Sequence, residues 1–85
     1  MYVVYAISSM HRNYIYVGLT GNLTARIERH NKGYERTTKP YSPFELLYSE
    51  EQPDRKAARQ REKYFKSGVG KDFLRQLRAG LSTDR

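Results

Sequence analysis

The sequence contains no cysteine and only two histidines among its 85 residues. The missing thiols exclude disulfides, thiolate zinc sites and cysteine nucleophiles. No apolar run approaches the roughly 18 residues that a membrane span needs, and the N-terminus lacks the basic segment that opens a signal peptide. We therefore expect a cytoplasmic protein with no membrane partner.

Acidic residues are also scarce, since nine Asp and Glu face sixteen Lys and Arg, a formal net charge of +7. Such an excess on a short chain favours an anionic partner, most often nucleic acid, although a merely soluble basic protein has the same composition. Residues 53–78 carry nine basic and three acidic side chains, whereas residues 40–52 carry only acidic charge. This uneven distribution indicates either a solvated helix face or a surface that follows phosphates.

Strand propensity and helical spacing predict six elements in the order ββαβαα. The strands cover residues 2–7, 14–19 and 44–50, and the helices cover residues 23–32, 53–67 and 71–79. The fold class is therefore α+β, a small three-stranded antiparallel sheet flanked by helices. Residues 1–80 form a single domain, and residues 81–85 a frayed C-terminal tail.

The helix ends follow from capping residues. Asn22 or Thr20 caps the first helix, and Gly33 ends it. Pro53 occupies the first turn of the second helix, and Gly68 ends that helix. Each boundary is thus predicted from a residue type that suits a helix end.

Four of the eight tyrosines lie within the first sixteen residues. They are Tyr2, Tyr5, Tyr14 and Tyr16. If the turn closes between Ser8 and Asn13, the numbers of paired residues sum to 21, and Tyr5 lies opposite Tyr16 on one face of the sheet. One interpretation is that one or two of these phenols take part in the chemistry of a site. The other is that all four only pack, because aromatic residues favour strands for packing reasons.

The second helix carries one carboxylate at an unexpected position. Ala58, Glu62 and Phe65 follow the i, i+4, i+7 spacing of a stripe that faces the sheet. A carboxylate in such a stripe has to be paired, hydrated or bound to a metal. The structural interpretation is a salt bridge from Glu62 to Arg26 or Arg61.

In combination, these features resemble the GIY-YIG nuclease family over nearly the whole chain. The family signature is Gly-Ile-Tyr, ten or eleven residues, and then Tyr-Ile-Gly. Val3-Val4-Tyr5 stands for the first triplet, and Tyr16-Val17-Gly18 follows after ten residues. In the next helix, Arg26 and His30 match an Arg ten residues after the second Tyr and a His or Tyr four later. The resemblance implies the three-stranded fold of these endonucleases.

A later helix of the family carries the metal-binding Glu in an A-x-x-x-E-x-x-x-K pattern. Ala58, Glu62 and Lys66 match this pattern. The sequence departs from the family pattern at Val3, which replaces the leading Gly of the first triplet, and from some members at two further positions. Leu19 replaces a Lys that follows the second Gly in certain repair members, and Leu74 lies near the place of a downstream Asn. These departures leave open a member that binds nucleic acid without cutting it.

The resemblance implies metal-dependent hydrolysis of phosphodiesters, with DNA as the partner and a role in DNA repair. Glu62 would hold Mg²⁺, with Mn²⁺ as an alternative, because Mg²⁺ is often held by one or two carboxylates plus water and phosphate oxygens. Arg26 would stabilise the transition state. Tyr5 is the candidate general base, and it needs neighbours that favour the phenolate because a free phenol has a pKa of about 10. We expect Arg26, the metal and the basic surroundings to act in that direction.

Two site residues keep more than one interpretation. Tyr16 would orient water or substrate. His30 would relay a proton or contact a phosphate, and the alternative is a histidine stabilised at a helix end by the helix dipole. The candidate nucleic-acid contacts are Arg36, Lys39, Lys66 and Lys71.

Three functions remain open at this point. The first is a stand-alone endonuclease, and the second is a non-catalytic nucleic-acid-binding module on the same fold. The third is a domain whose basic helices bind an acidic protein. The first is favoured because neither alternative requires Tyr5, Tyr16, Arg26 and Glu62 together.

Overall fold

The computed structural model describes residues 1–83, the last three as backbone only, and its elements follow the predicted order ββαβαα. The strands are β1 (Tyr2–Ser9), β2 (Ile15–Thr20) and β3 (Phe44–Gln52), and the helices are α1 (Leu23–Asn31), α2 (Arg55–Lys66) and α3 (Gly68–Thr83). A short 3₁₀ helix, Lys39–Tyr41, lies within the predicted loop before β3. The predicted α+β class is confirmed. Within residues 1–83, no helix has the length and apolar character to cross a membrane.

The sheet is antiparallel throughout, with β1 in the centre and the strand order β2-β1-β3. The predicted register of the first hairpin is wrong by two residues, because Tyr5 pairs with Gly18 and Ile7 pairs with Tyr16. Ser9 explains the difference, since its hydroxyl accepts the backbone N–H of Arg12 at 3.1 Å and closes the turn one residue later. An even shift preserves the faces of a strand. Tyr5 and Tyr16 therefore still share one face, as neighbours on a diagonal.

Side chains of β1 alternate between the two faces of the sheet, and each face has its own hydrophobic core. Val4 and Ala6 point to the face covered by α2 and α3, where Ala58, Phe65 and Leu74 are buried with them. Tyr5 and Ile7 point to the opposite face, where they are buried with Phe44 and packed by Leu23 and Ile27 of α1. Tyr2 and Tyr14 pack as well, each against a different core.

The ends of α1 agree with the capping residues. The Asn22 side chain accepts the N–H of Ala25 at 3.1 Å, and Gly33 adopts a positive φ of 77° just after the helix. The start of α2 differs from the prediction, because Asp54 caps the helix and Pro53 lies outside it. A carboxylate that accepts the N–H of Ala57 is a stronger start signal than a proline at this position.

Helix α3 is longer than predicted in both directions. Gly68 begins α3 instead of ending α2, and the junction between the helices is Ser67 alone. The Ser67 hydroxyl accepts the N–H of Gly70 at 3.4 Å and donates to the carbonyl of Tyr64 at 2.5 Å, so it satisfies both helix ends. At the other end, the predicted tail of residues 81–85 lies partly in α3, which reaches Thr83, and partly outside the described residues.

Candidate active site

The face of the sheet beneath α1 carries a buried hydrogen bond between two of the predicted site residues. Tyr5 comes from the central strand and His30 from the last turn of α1, and each is 1 % exposed. The Tyr5 hydroxyl lies 2.8 Å from Nε2 of His30. The predicted helix-end histidine is thus turned inward, towards the sheet, instead of facing solvent.

Thr38 fixes which ring nitrogen of His30 carries the proton. This threonine is fully buried, and its hydroxyl lies 2.7 Å from Nδ1 of His30. The same hydroxyl donates to the backbone carbonyl of Glu35 at 3.4 Å. Because its own proton is used there, Thr38 accepts the Nδ1 proton, and Nε2 of the neutral ring accepts the proton of Tyr5.

The surroundings of this pair hold both groups in their neutral forms. Burial raises the pKa of the Tyr5 phenol well above its ordinary value of 10, and the charge of Arg26 only partly opposes this shift. Burial also lowers the pKa of His30 below its ordinary 6.5. Arg26 therefore acts towards the phenolate as expected, but burial has the larger effect and keeps the phenol protonated. The dipole interpretation of His30, which requires a cation, is not supported.

The lowered pKa of His30 gives a testable pH dependence of stability. In the unfolded chain the ring binds a proton as the pH falls past about 6.5, whereas in the fold it resists protonation to a lower pH. The unfolded state then binds more protons, so the free energy of unfolding decreases as the pH falls through this window. We expect urea unfolding to show this loss between about pH 7.5 and pH 5.5.

The other histidine supplies the control for this prediction. His11 lies exposed in the β1–β2 turn, so the variant His11→Gln should keep the loss of stability. A loss that disappears in His11→Gln, or that is absent from the wild type, would contradict the assignment to His30.

Tyr16 and Arg26 form the more accessible side of the same group. Tyr16 is partly exposed, and its ring centroid lies 6.3 Å from that of Tyr5 and 5.1 Å from that of His30. Arg26 is also partly exposed and is close enough to Tyr5 for its charge to act on the phenol. Among the described residues, no carboxylate lies within 4.0 Å of its guanidinium. Arg26 is thus available to bind an anion.

Gly18 makes room for the Tyr5 ring. It lies directly opposite Tyr5 in the sheet. A β-carbon on Gly18 would lie 2.7 Å from the Tyr5 hydroxyl oxygen and 3.0 Å from a ring carbon of Tyr16. Both distances are shorter than ordinary van der Waals contact. The last residue of the Tyr16-Val17-Gly18 triplet therefore has a steric role in placing both phenols.

Among the described residues, Glu62 makes no hydrogen bond or ion pair with this group. It belongs to α2, which packs on the opposite face of the sheet, and its neighbours in the stripe, Ala58 and Phe65, are buried there. The predicted salt bridge to Arg26 or Arg61 is wrong, because Glu62 pairs with Lys66 at 3.3 Å. Arg61 instead pairs with Glu50 at 2.6 Å, and this contact lowers the pKa of the Glu50 carboxyl. Four of the five predicted site residues thus come together, and Glu62 does not join them directly.

The family model for the GIY-YIG catalytic domain matches residues 1–75 of the chain. The protein belongs to the GIY-YIG nuclease family. Its three-stranded sheet and three helices agree with that fold. No curated protein and no solved structure was found to match the chain.

In this GIY-YIG domain, the four predicted nucleic-acid contacts are divided between the two layers. Arg36 and Lys39 are exposed in the segment that follows α1, next to buried Thr38. Lys66 and Lys71 are exposed on α2 and α3, which cover the other face of the sheet. The four side chains therefore do not form one continuous patch around His30.

Sequence reasoning missed the part of Thr38 in the GIY-YIG site. The segment 36–39 reads Arg-Thr-Thr-Lys, and nothing in it separates Thr38 from the exposed Thr37. The hydroxyl becomes special only because the chain folds back from α1 and buries it against His30. The one available signal was the polar ring of His30 itself, which needs a second partner when it is buried.

Proposed function

We propose that the protein is a metal-dependent endonuclease that hydrolyses phosphodiester bonds in DNA. Membership of the GIY-YIG nuclease family supports the general chemistry. The observation that carries the proposal is the buried hydrogen bond from Tyr5 to His30, because a neutral histidine that accepts a phenol proton at 2.8 Å is arranged for proton transfer.

Tyr5 acts as general base through His30, without a resting phenolate. As the Tyr5 oxygen takes a proton from the attacking water, its own proton passes to Nε2 of His30. The imidazolium that forms still carries its Nδ1 proton and donates it in a hydrogen bond to the hydroxyl of Thr38. This path agrees with a Tyr5 pKa that burial raises, since a separate phenolate never has to exist. The burial of His30 also favours the relay over a direct phosphate contact.

Arg26 and Tyr16 meet the substrate first, because they are the partly exposed members of the group. Arg26 binds the scissile phosphate and stabilises the charge that grows on its oxygens. Tyr16 lies beside both Tyr5 and His30 and orients the attacking water or the phosphate. These roles follow from the partial exposure of both side chains and from the lack of a carboxylate within 4.0 Å of Arg26 in the part of the chain that the structure describes.

The metal would be Mg²⁺, with Mn²⁺ as an alternative, and Glu62 is the residue that would hold it. Within residues 1–83, no three carboxylate, histidine or cysteine side chains gather into a site. A single carboxylate still fits Mg²⁺, which commonly completes its coordination with waters and substrate phosphates. The bond from Lys66 to Glu62 is long and partly exposed, so Lys66 is readily displaced. When bound, the metal would act as a Lewis acid and stabilise the leaving oxygen.

A non-catalytic nucleic-acid-binding module is the second candidate. Two observations favour it, namely the deep burial of Tyr5 and the pairing of Glu62 with Lys66 instead of with a residue of the Tyr5–His30 group. Such a module would bind nucleic acid with strong salt dependence and would not cut it with any metal.

A nicking assay separates the two candidates. Labelled duplex, flap, branched and single-stranded DNAs are incubated with Mg²⁺, Mn²⁺ or EDTA. We expect cleavage with either metal and none in EDTA. Salt-sensitive retention of the same DNAs without any cleavage would instead support the binding module.

Arg26→Gln tests the anion-binding role in the same assay. Loss of one positioned donor to a developing negative charge costs about 10²–10³-fold in rate, so we expect a decrease of that size. Arg59→Gln is the matched control, because Arg59 is exposed on α2 and its loss changes the net charge equally. Equal effects of the two variants would remove Arg26 from the site.

A further inference from the structure

A cleft separate from the Tyr5–His30 pair lies between the β1–β2 turn and α3. Its volume is about 170 Å³, and its lining includes Asn13 and Tyr14 from the turn and Lys71, Arg75 and Arg78 from the helix. Three cations thus line one small cleft. Among the described residues that line it, none carries a carboxylate.

The three basic residues share one face of α3, because their spacing is i, i+4, i+7. Like charges at i and i+4 repel each other and destabilise a helix. Arg75 is partly compensated by exposed Asp72 at 3.2 Å, whereas Lys71 has no carboxylate within 4.0 Å among the described residues. An anion in the cleft would relieve this repulsion.

The cleft is held in shape by a contact between its two walls. A guanidinium nitrogen of Arg78 donates to the side-chain oxygen of Asn13 at 2.6 Å. On the turn side, Tyr14 stacks on Tyr41 with ring centroids 3.9 Å apart and planes inclined by 12°. The donors of Arg78 are therefore oriented before any ligand arrives, which lowers the entropic cost of binding.

Tyr14 connects the cleft with the candidate active site. Tyr14 lines the cleft and also packs, like Tyr16, against the same core as Tyr5. The cleft thus borders a residue of the active-site core, whereas α3 itself covers the opposite face of the sheet. The formal net charge of +7 and the proposed endonuclease activity favour a phosphate of nucleic acid as the anion that these three cations bind.

We propose that this cleft binds a backbone phosphate of nucleic acid through Lys71, Arg75 and Arg78. The choice of ligand rests on the proposed function. Because the cleft would contact the phosphate and no base edge, it would strengthen the binding of nucleic acid and fix its position without any preference for sequence.

The test measures binding of a fluorescently labelled DNA oligonucleotide by anisotropy, in EDTA and over a series of salt concentrations. The variant is Lys71→Gln with Arg75→Gln, both at exposed positions. The matched control, Lys56→Gln with Arg59→Gln, removes the same charge from exposed positions of α2. A further variant carries the single substitution Arg78→Gln. Circular dichroism verifies that each variant is folded.

Loss of one phosphate contact should reduce the slope of log K against log [salt] by about 0.9 for duplex DNA or 0.7 for a single strand. We expect this reduction for the cleft variant, equally for two unrelated sequences, and an unchanged slope for the control. Arg78→Gln should also weaken binding. Equal slopes for the cleft variant and the control, or no binding by the wild type, would overturn the proposal.

A cleavage assay on the same DNA distinguishes failure of the phosphate site from failure of the proposed endonuclease activity. A wild type that binds with the predicted slopes but never cuts would remove the endonuclease and leave the phosphate site. A wild type that cuts, together with a cleft variant of unchanged slope, would remove the phosphate site alone.

Discussion

Glu62→Gln should abolish metal-dependent cleavage, with a decrease of at least about 10³-fold. A bound metal contributes several kcal/mol of charge stabilisation in the transition state, and each 1.36 kcal/mol corresponds to a factor of ten in rate. The amide keeps the size of the side chain but removes the charge that holds Mg²⁺. The measurement is the initial rate of nicking over a range of Mg²⁺ concentrations. Folding should be unaffected, because the pair with Lys66 is long and partly exposed.

Glu28→Gln is a close control for this variant. Glu28 on α1 pairs with Lys32 at 2.7 Å in the same i, i+4 arrangement that joins Glu62 to Lys66. It therefore reports the effect of breaking a helix-surface ion pair without touching the proposed metal site. Undiminished cleavage by Glu62→Gln, or equal losses in both variants, would exclude Glu62 as the metal-binding residue.

Gly18→Ala should reduce both stability and activity, although it adds a single methyl group. Its β-carbon would lie 2.8 Å from ring carbon Cζ of Tyr5, a buried side chain with little freedom to move. Overpacking of a core typically costs about 1–3 kcal/mol, and a displacement of about 1 Å at a reacting group can cost about 10²-fold in rate. Urea unfolding and the nicking rate of the folded fraction measure the two effects.

Gly21→Ala serves as the reference for this second prediction. A β-carbon on Gly21 would meet no atom within 4 Å. The substitution should leave activity unchanged and stability the same or slightly higher, because alanine restricts the unfolded chain. If Gly18→Ala behaves like Gly21→Ala, the close approach of Tyr5 to β2 is not a constraint on the site.

The elements followed from the sequence because local signals agree there, whereas the grouping of Tyr5, Tyr16, Arg26 and His30 followed from the resemblance to the GIY-YIG family. Strand alternation, an Asn cap and helical spacing all point to the same arrangement. The hairpin register did not follow, since it depends on the Ser9 hydroxyl, whose role at the turn is visible only after folding. The α2–α3 junction was mispredicted for a similar reason, because Ser67 satisfies both helix ends.

The electrostatics of the site were beyond the sequence. The residue types around Tyr5 suggest a phenolate, because Arg26 is positive and near. The structure shows that burial outweighs this charge, and burial depends on how α1 packs against the sheet. The partners of Glu62 and Arg61 were mispredicted because helical spacing gives the face of a residue but not the neighbours across the layer. Long-range packing decides both cases.

Strand β1 also limits how the length of this chain can vary between related proteins. Its alternate residues serve both layers, with Tyr5 on one face and Val4 on the other. Inserting or deleting one residue within the strand would exchange the faces of every residue beyond that point, carrying Tyr5 into the opposite layer or Val4 into the candidate active site. Insertions and deletions between relatives should therefore gather in the turn at residues 10–13 and in the loop before Thr38, where no layer is inverted.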